Sequence, residues 1–226
     1  MHRRTPHWFG VMLVTSSALL TACGTQPLRP SGTYTVRAGD TLYSIAWRHG
    51  VDFHELARIN HIGNDYRIYP GQVLALSTAA RARPPVPQSS VVSPSQPPTV
   101  LAGPPPRFLL PVSGSYVPTS RPNGGVGLVF SGRVGDDIHA AAAGRVVYSG
   151  NGLLGYGQLL IIKHNEQYLS AYGHLQVVNV REGDAVTSGQ VIATMGAGPN
   201  GTPQLYFEIR VDGRPVEPTA LLQATK

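Results

Sequence analysis

The chain is short of cysteine, of charge and of long apolar runs. Its 226 residues include a single cysteine, Cys23, which excludes an intrachain disulfide framework. Charged residues make up only 13% of the chain, and lysine occurs only as Lys163 and Lys226. No Lys/Arg block or basic helix accompanies the formal charge of +6, so nucleic acid is a poor fit as a partner. A mildly basic surface suits an anionic polymer or an acidic protein patch instead. Beyond the N-terminal leader, no segment is long and apolar enough to span a bilayer. What is plentiful is glycine, 26 residues, and proline, 20, a composition of strands, turns and linkers rather than long helices.

The leader MHRRTPHWFGVMLVTSSALLTACGTQ has a basic start, Arg3 and Arg4, and an apolar run from about Trp8 to Leu20. It reads as a secretory signal peptide over 1–22. The stretch Leu20-Thr21-Ala22-Cys23 resembles the lipobox of bacterial lipoproteins. That resemblance implies cleavage before Cys23, acylation of its thiol, and a lipid anchor followed by a polar tether over 23–32. Gly24 stands where an aspartate often marks inner-membrane retention, so the resemblance favours the outer membrane, with the protein facing the periplasm.

Residues 33–77 form one small module, expected as α+β. Strand-like pieces at Tyr34–Val36 and Val73–Leu76 enclose two short helices. Leu42, Ile45, Ala46 and His49 recur at helical spacing after Asp40, the expected N-cap. Gly50 ends that helix. Asp52-x-x-Glu55 opens the second with a capping-box pattern, and Val51 and Leu56 are spaced for a hydrophobic staple. Tyr34, Val36, Gly39-Asp40-Thr41-Leu42, Ile45-Ala46, Leu56, Asn60 and Ile68-x-Pro70-Gly71-Gln72 resemble the LysM module, a binder of N-acetylglucosamine-containing glycan. The resemblance implies a glycan groove between two loops, here Gly39, Asp40, Thr41, Leu42, Ile68, Tyr69 and Pro70. Each residue also has a plain structural role open to it. Asp40 can cap a helix, Leu42 can pack in a core, and Pro70-Gly71 can turn the chain.

Residues 78–106 carry nine prolines and no apolar periodicity, so they read as a linker. At roughly 3 Å per residue such a segment reaches on the order of 80–90 Å. From 107 to 226, short β-type runs alternate with glycine turns: GRVVYSG, QLLIIKH, YLSAYGHL, QVIATMG and QLYFEIRVDG. This spacing predicts an all-β domain. In TPQLYFEIR, alternation puts Leu205, Phe207 and Ile209 on one face and Gln204, Tyr206, Glu208 and Arg210 on the other.

Zinc hydrolysis needs about three nitrogen or oxygen ligands on rigid strands plus an open water position. The domain's three histidines, His139, His164 and His174, do not pair at alternate positions of one strand. GRVVYSGNGLLGYGQLLIIKHNEQYLSAYGHL, VREGDAVTSGQVIATMG and QLYFEI resemble the lysostaphin-type (LytM) endopeptidase domain, a duplicated hybrid motif-like β fold. With the LysM module upstream, the chain is similar to the NlpD-type lipoproteins. Active LytM members bind zinc through H-x-x-x-D and the second His of H-x-H. By this resemblance the first motif falls on Gly125 and Val129, and the second on Gln204 and Tyr206. Only the assisting histidine of Y-x-H-L is kept, as His174. Gly and Val supply no ligand, and Gln and neutral Tyr are poor ones.

Asp136, Asp137 and His139 with His174 are the remaining candidates for a rebuilt metal site, but the first three read as a turn with solvated acids. His164 reads as a turn residue. His174 is either a groove residue or hydrogen-bonded core. Gly150-x-Gly152-x-x-Gly155 matches a dinucleotide-binding string, but a strand follows it rather than a helix, so it reads as a hairpin loop. The carrier-like hairpin around VREGDAVTSGQVIATMG has no acceptor lysine.

The resemblance therefore implies a non-catalytic outer-membrane lipoprotein without cofactor. It would bind peptidoglycan through LysM and activate a periplasmic N-acetylmuramoyl-L-alanine amidase for septal wall splitting. Its partner-binding groove would include Gly125, Val129, His174, Gln204 and Tyr206. A zinc endopeptidase with atypical ligands and a simple peptidoglycan-anchoring lipoprotein are the alternatives.

Overall fold

The computed structural model describes residues 32–77, 105–120 and 125–223. Cys23 with its lipobox, and most of the proline-rich segment, lie outside the described residues.

The N-terminal module runs β1 (Thr33–Thr35), α1 (Leu42–His49), α2 (Phe53–Ile59) and β2 (Val73–Ala75). The two strands pair antiparallel, Tyr34 opposite Leu74. The expected strand-helix-helix-strand order is present, with each strand ending one residue early. Val36 still exchanges hydrogen bonds with the facing turn, to Gln72 and from Gly71, both at 2.8 Å. Asn60 locks α2 to β2: its side chain donates to the Leu56 and Ala75 carbonyls and accepts from the Ala75 N–H.

One expectation is corrected. Thr41, not Asp40, caps α1. The Thr41 hydroxyl accepts from the Ser44 N–H at 3.1 Å, and Ser44 Oγ accepts from the Thr41 N–H at 3.0 Å. Asp40 lies one residue too early, and its carboxylate is taken up elsewhere: it accepts from the Tyr34 hydroxyl and the Arg37 N–H. Gly50 does end α1, in the left-handed conformation that glycine adopts freely, φ 62°. Asp52 caps α2 by accepting from the Glu55 N–H at 3.0 Å. Glu55 itself turns to Arg58.

The C-terminal domain contains β3 (Tyr116–Ser120), β4 (Val126–Ser131), β5 (Asp137–His139), β6 (Gly144–Gly150), β7 (Gln158–Lys163), β8 (Tyr168–Val178), β9 (Ala185–Val186), β10 (Val191–Met195), β11 (Gln204–Val211) and β12 (Arg214–Val216). They form one antiparallel sheet in the order β3-β4-β11-β8-β7-β6-β9, with β10 pairing β5 and β8, and β12 pairing β11. Gly150 closes β6, and Gly152 and Gly155 lie in the loop of the β6–β7 hairpin, as read. Asp212 and Gly213, both at positive φ, make the two-residue turn between β11 and β12.

The central strands β7, β8 and β11 are buried on both faces. Leu128, Phe130, Leu160, Ile162, Leu205, Phe207 and Ile209 enter a core closed within the domain. Leu159, Ile161, Leu169, Ala171 and Tyr206 enter a second core, together with Leu42, Ile45, Trp47 and Phe53 of the N-terminal module. The small module therefore sits on the outer face of the sheet.

Candidate functional site

The two loops expected to hold glycan emerge side by side, because the Val36–Gln72 and Gly71–Val36 hydrogen bonds extend the β1–β2 ladder toward them. Gly39, Tyr69 and Pro70 are exposed, Asp40, Thr41 and Ile68 are half-buried, and Leu42 is core. Tyr69 offers an aromatic ring that is 63% exposed, a flat apolar surface of the kind sugar rings stack on. Asp40 forms an ion pair with Arg48 at 3.3 Å, and the same Arg48 donates to the Gly152 carbonyl in the β6–β7 loop at 3.2 Å. The loop that carries Asp40 is thus tied to the second domain through one side chain.

The five residues placed in the degenerate centre gather on β4, β11 and β8. Tyr206 pairs with Val129 on one side and with Gly173 on the other. Gln204 pairs with Ser131, and its amide lies over Gly198, where a Cβ would come within 2.1 Å of it. Gly125 directly precedes β4 and is buried. His174 follows Gly173 in a left-handed backbone, φ 62°. Its N–H donates to the Tyr156 carbonyl and its own carbonyl accepts from Gly196.

Tyr206 does not open onto solvent. It is 1% exposed, and its ring fills the space above Gly127. Its hydroxyl donates to Glu208 Oε2 at 2.7 Å. Glu208, fully buried, also accepts from Tyr156 at 3.3 Å and from Arg210 Nε at 2.7 Å. Arg210 completes the chain by donating to the Trp47 carbonyl at 2.8 Å, with its guanidinium 3.7 Å from the Trp47 ring centroid. The polar face of TPQLYFEIR is therefore neither solvated nor an open wall. It is a buried, internally paired network that reaches the N-terminal module, as burial of charge requires.

Sequence reasoning did not find the rest of this seam. Lys163 Nζ lies 5.1 Å from the ring centroids of Phe53 and Tyr66 and 6.0 Å from that of Tyr43, an aromatic enclosure for a cation. Both oxygens of Glu166 hold the same ammonium at 2.8 Å. His54 Nε2 lies 2.8 Å from the Glu166 carbonyl. A carbonyl only accepts, so this nitrogen carries the proton, and in the neutral ring Nδ1 accepts from the Tyr66 hydroxyl at 2.9 Å. Burial, then the nearby Glu166 carboxylate, pushes the Tyr66 phenol up to about 12. At the far end, a Cβ on Gly213 would lie 2.5 Å from Asp52 Cα, so only glycine lets the β11–β12 turn approach the start of α2. The signals available were the lone internal lysine and the unbroken apolar run of β7.

His164 serves structure, as a turn residue should. Its Nδ1 donates to the Ala143 carbonyl at 2.8 Å, and Nε2 lies 2.7 Å from Ser170 Oγ. Burial lowers its pKa to about 4, against the smaller raising effect of the Ala143 hydrogen bond. Asp136 holds a turn by accepting from the Arg133 N–H.

These donors do not fit a zinc ion. Val129 faces Tyr206 across β4–β11, and the Tyr206 phenol is committed to Glu208. Among the described residues no three His, Cys, Asp or Glu side chains come together in a group able to hold a metal.

The architecture defines a class: a LysM-type module joined to a peptidase-like β domain. The LysM domain family matches residues 34–77 and Peptidase family M23 matches residues 123–218. The chain is 39% identical to a lipoprotein NlpD/LppB homolog of Pseudomonas aeruginosa, over 94% of this chain and 84% of that one. It is 34% identical to the murein hydrolase activator NlpD of Escherichia coli, over 84% of this chain and 67% of that one. A solved putative peptidase M23 from Pseudomonas aeruginosa superposes with a TM-score of 0.46 and 26% identity, over 51% of this chain and 50% of that one. The chain belongs to the NlpD-type family of murein hydrolase activator lipoproteins.

Proposed function

We propose that this protein is a non-catalytic activator of a periplasmic N-acetylmuramoyl-L-alanine amidase, acting in septal wall splitting. Its LysM module holds it on peptidoglycan, and a lipid on Cys23 holds it at the outer membrane on the periplasmic side. One observation carries the reading: the M23 sheet is kept while the Val129–Tyr206 pair, where zinc ligands belong by resemblance, has become packing and a hydrogen bond to Glu208. A framework kept without its metal chemistry suits binding, and relatives in the family carry the name of activators. Gly39, Asp40, Thr41, Leu42, Ile68, Tyr69 and Pro70 are the proposed glycan contacts. The β4–β11–β8 region around Gly125, Val129, His174, Gln204 and Tyr206 is the proposed partner region. Binding there shifts the amidase toward its open state by differential affinity for that state.

The test uses the chain from Gly24 onward, without lipid. Bound zinc is measured by elemental analysis, and release from dye-labelled peptidoglycan is assayed alone and with candidate amidases. The expected result is no stoichiometric zinc, no release alone, and stimulated release with one amidase. Stoichiometric zinc together with release by the protein alone would establish the endopeptidase alternative.

A further inference from the structure

We propose that the LysM module, seated on the outer sheet face, is an autoinhibitory clasp that hides the Val129–Tyr206 part of the partner region until it lifts. This rests on the activator reading above. The face it covers is apolar and continuous with the altered centre: Tyr148, Leu153, Tyr156, Leu159, Ile161 and Tyr206 are all buried in the shared core. A partner reaching Tyr206 from this side meets α1 first, because Trp47 and Arg210 are stacked there.

The seam is built to hold and to release. Beside the shared apolar core the seam has separate polar grips: Arg210 on Trp47, Lys163 among Tyr43, Phe53 and Tyr66, His54 on Glu166, and Arg48 on Gly152. Two polar atoms on the LysM side, Trp47 Nε1 and Asp52 Oδ2, are shut from solvent with no hydrogen-bond partner. In an open form water would satisfy both atoms, which lowers the cost of opening. Arg48 supplies a trigger, since it is shared between Asp40 of the glycan loop and the Gly152 carbonyl. A glycan that engages Asp40 displaces Arg48 from it, and the loss of that anchor weakens the Gly152 contact of the clasp. By linkage, an open clasp then binds glycan more tightly.

The test uses a built-in probe. From Gly24 onward Trp47 is the only tryptophan, and in the closed form it is buried against Arg210. Gly213→Asn keeps a residue type that accepts the left-handed turn, but places a Cβ against Asp52 and wedges the modules apart. Lys163→Gln loosens the other end of the seam without touching that turn. Both variants, in the full chain without lipid, are expected to redden Trp47 emission and raise its acrylamide quenching at least twofold. Both should also reach half-maximal amidase stimulation at roughly tenfold lower concentration. More accessible Trp47 with an unchanged dose curve would overturn the clasp while leaving the activator reading intact. Unchanged quenching in both variants would overturn it as well. No stimulation by wild type or variants, with any amidase, would instead overturn the activator reading itself.

Discussion

Arg210 stacks on the Trp47 ring, 3.7 Å from its centroid, while hydrogen-bonding the Trp47 carbonyl at 2.8 Å. β11 thus ends in a grip on the neighbouring module. Arg210 also holds Glu208, which no water reaches. Removing one member of a buried pair leaves the other uncompensated, which costs about 3–5 kcal/mol. Arg210→Ala is therefore expected to lower stability by that order in urea unfolding. The double variant Glu208→Gln with Arg210→Met should recover much of the loss, because it removes both charges and keeps volume. If the double variant is as unstable as Arg210→Ala, the charge argument fails and packing against Trp47 dominates.

How far the sequence carried this reading depends on which interactions are local. The βααβ order, the Asp52 cap and the β6–β7 hairpin follow from spacing within a few residues, and they were legible. The cap at Thr41 was missed by one position because Asp40 is the stronger capper in isolation; the structure uses Asp40 for longer-range bonds to Tyr34 and Arg48. The clasp was not legible, since it joins residues about a hundred or more positions apart. One sign of it was present. Leu159, Leu160, Ile161 and Ile162 are apolar without alternation, which marks a strand covered on both faces, and the second cover is the LysM module. Alternation in TPQLYFEIR grouped Gln204, Tyr206, Glu208 and Arg210 correctly but could not say that the last three are buried.

Gly127 reports how closely Tyr206 is fitted. A Cβ there would stand 2.5 Å from the Phe207 carbonyl and 3.0 Å from the Tyr206 phenol carbon and oxygen. Gly127→Ala forces the ring or strand to move and should destabilise the domain by about 1–3 kcal/mol. Thermal unfolding checks this. Combining it with Tyr206→Ala, which empties the space, should cost less than the sum of the two single changes, and a strictly additive result would mean that the ring is not the obstacle.

His164 predicts an acid limit. Its pKa is about 4 in the folded chain, lowered by burial, against about 6.5 unfolded. Between those values the unfolded chain binds more protons, so stability falls as pH drops from 6.5 toward 4 and is level above. A shift of this size corresponds to on the order of 3 kcal/mol. His49 is shifted the same way by burial and then by Arg48, and acts in the same direction. Urea midpoints measured from pH 4 to 8 should show this slope, and His164→Gln should flatten it while lowering stability overall. An unchanged slope in that variant would assign the acid sensitivity to other groups.

Tyr69 separates glycan binding from folding. Its ring is largely exposed, and its backbone N–H is already held by the Gln72 side chain at 3.1 Å. Tyr69→Ala should change stability by no more than about 0.5 kcal/mol, as surface substitutions do. If the ring stacks on a sugar, losing it removes about 1–2 kcal/mol of binding, roughly a five- to thirtyfold weaker affinity for N-acetylglucosamine oligomers by calorimetry. Arg48→Ala should behave differently. It removes the Asp40 ion pair and the Gly152 contact together, so Trp47 becomes easier to quench whether or not glycan is present. Tyr69→Ala should leave quenching of the free protein unchanged and abolish only its response to glycan. Equal affinity of wild type and Tyr69→Ala for the oligomers would remove Tyr69 from the binding surface and place the sugar elsewhere on the two loops.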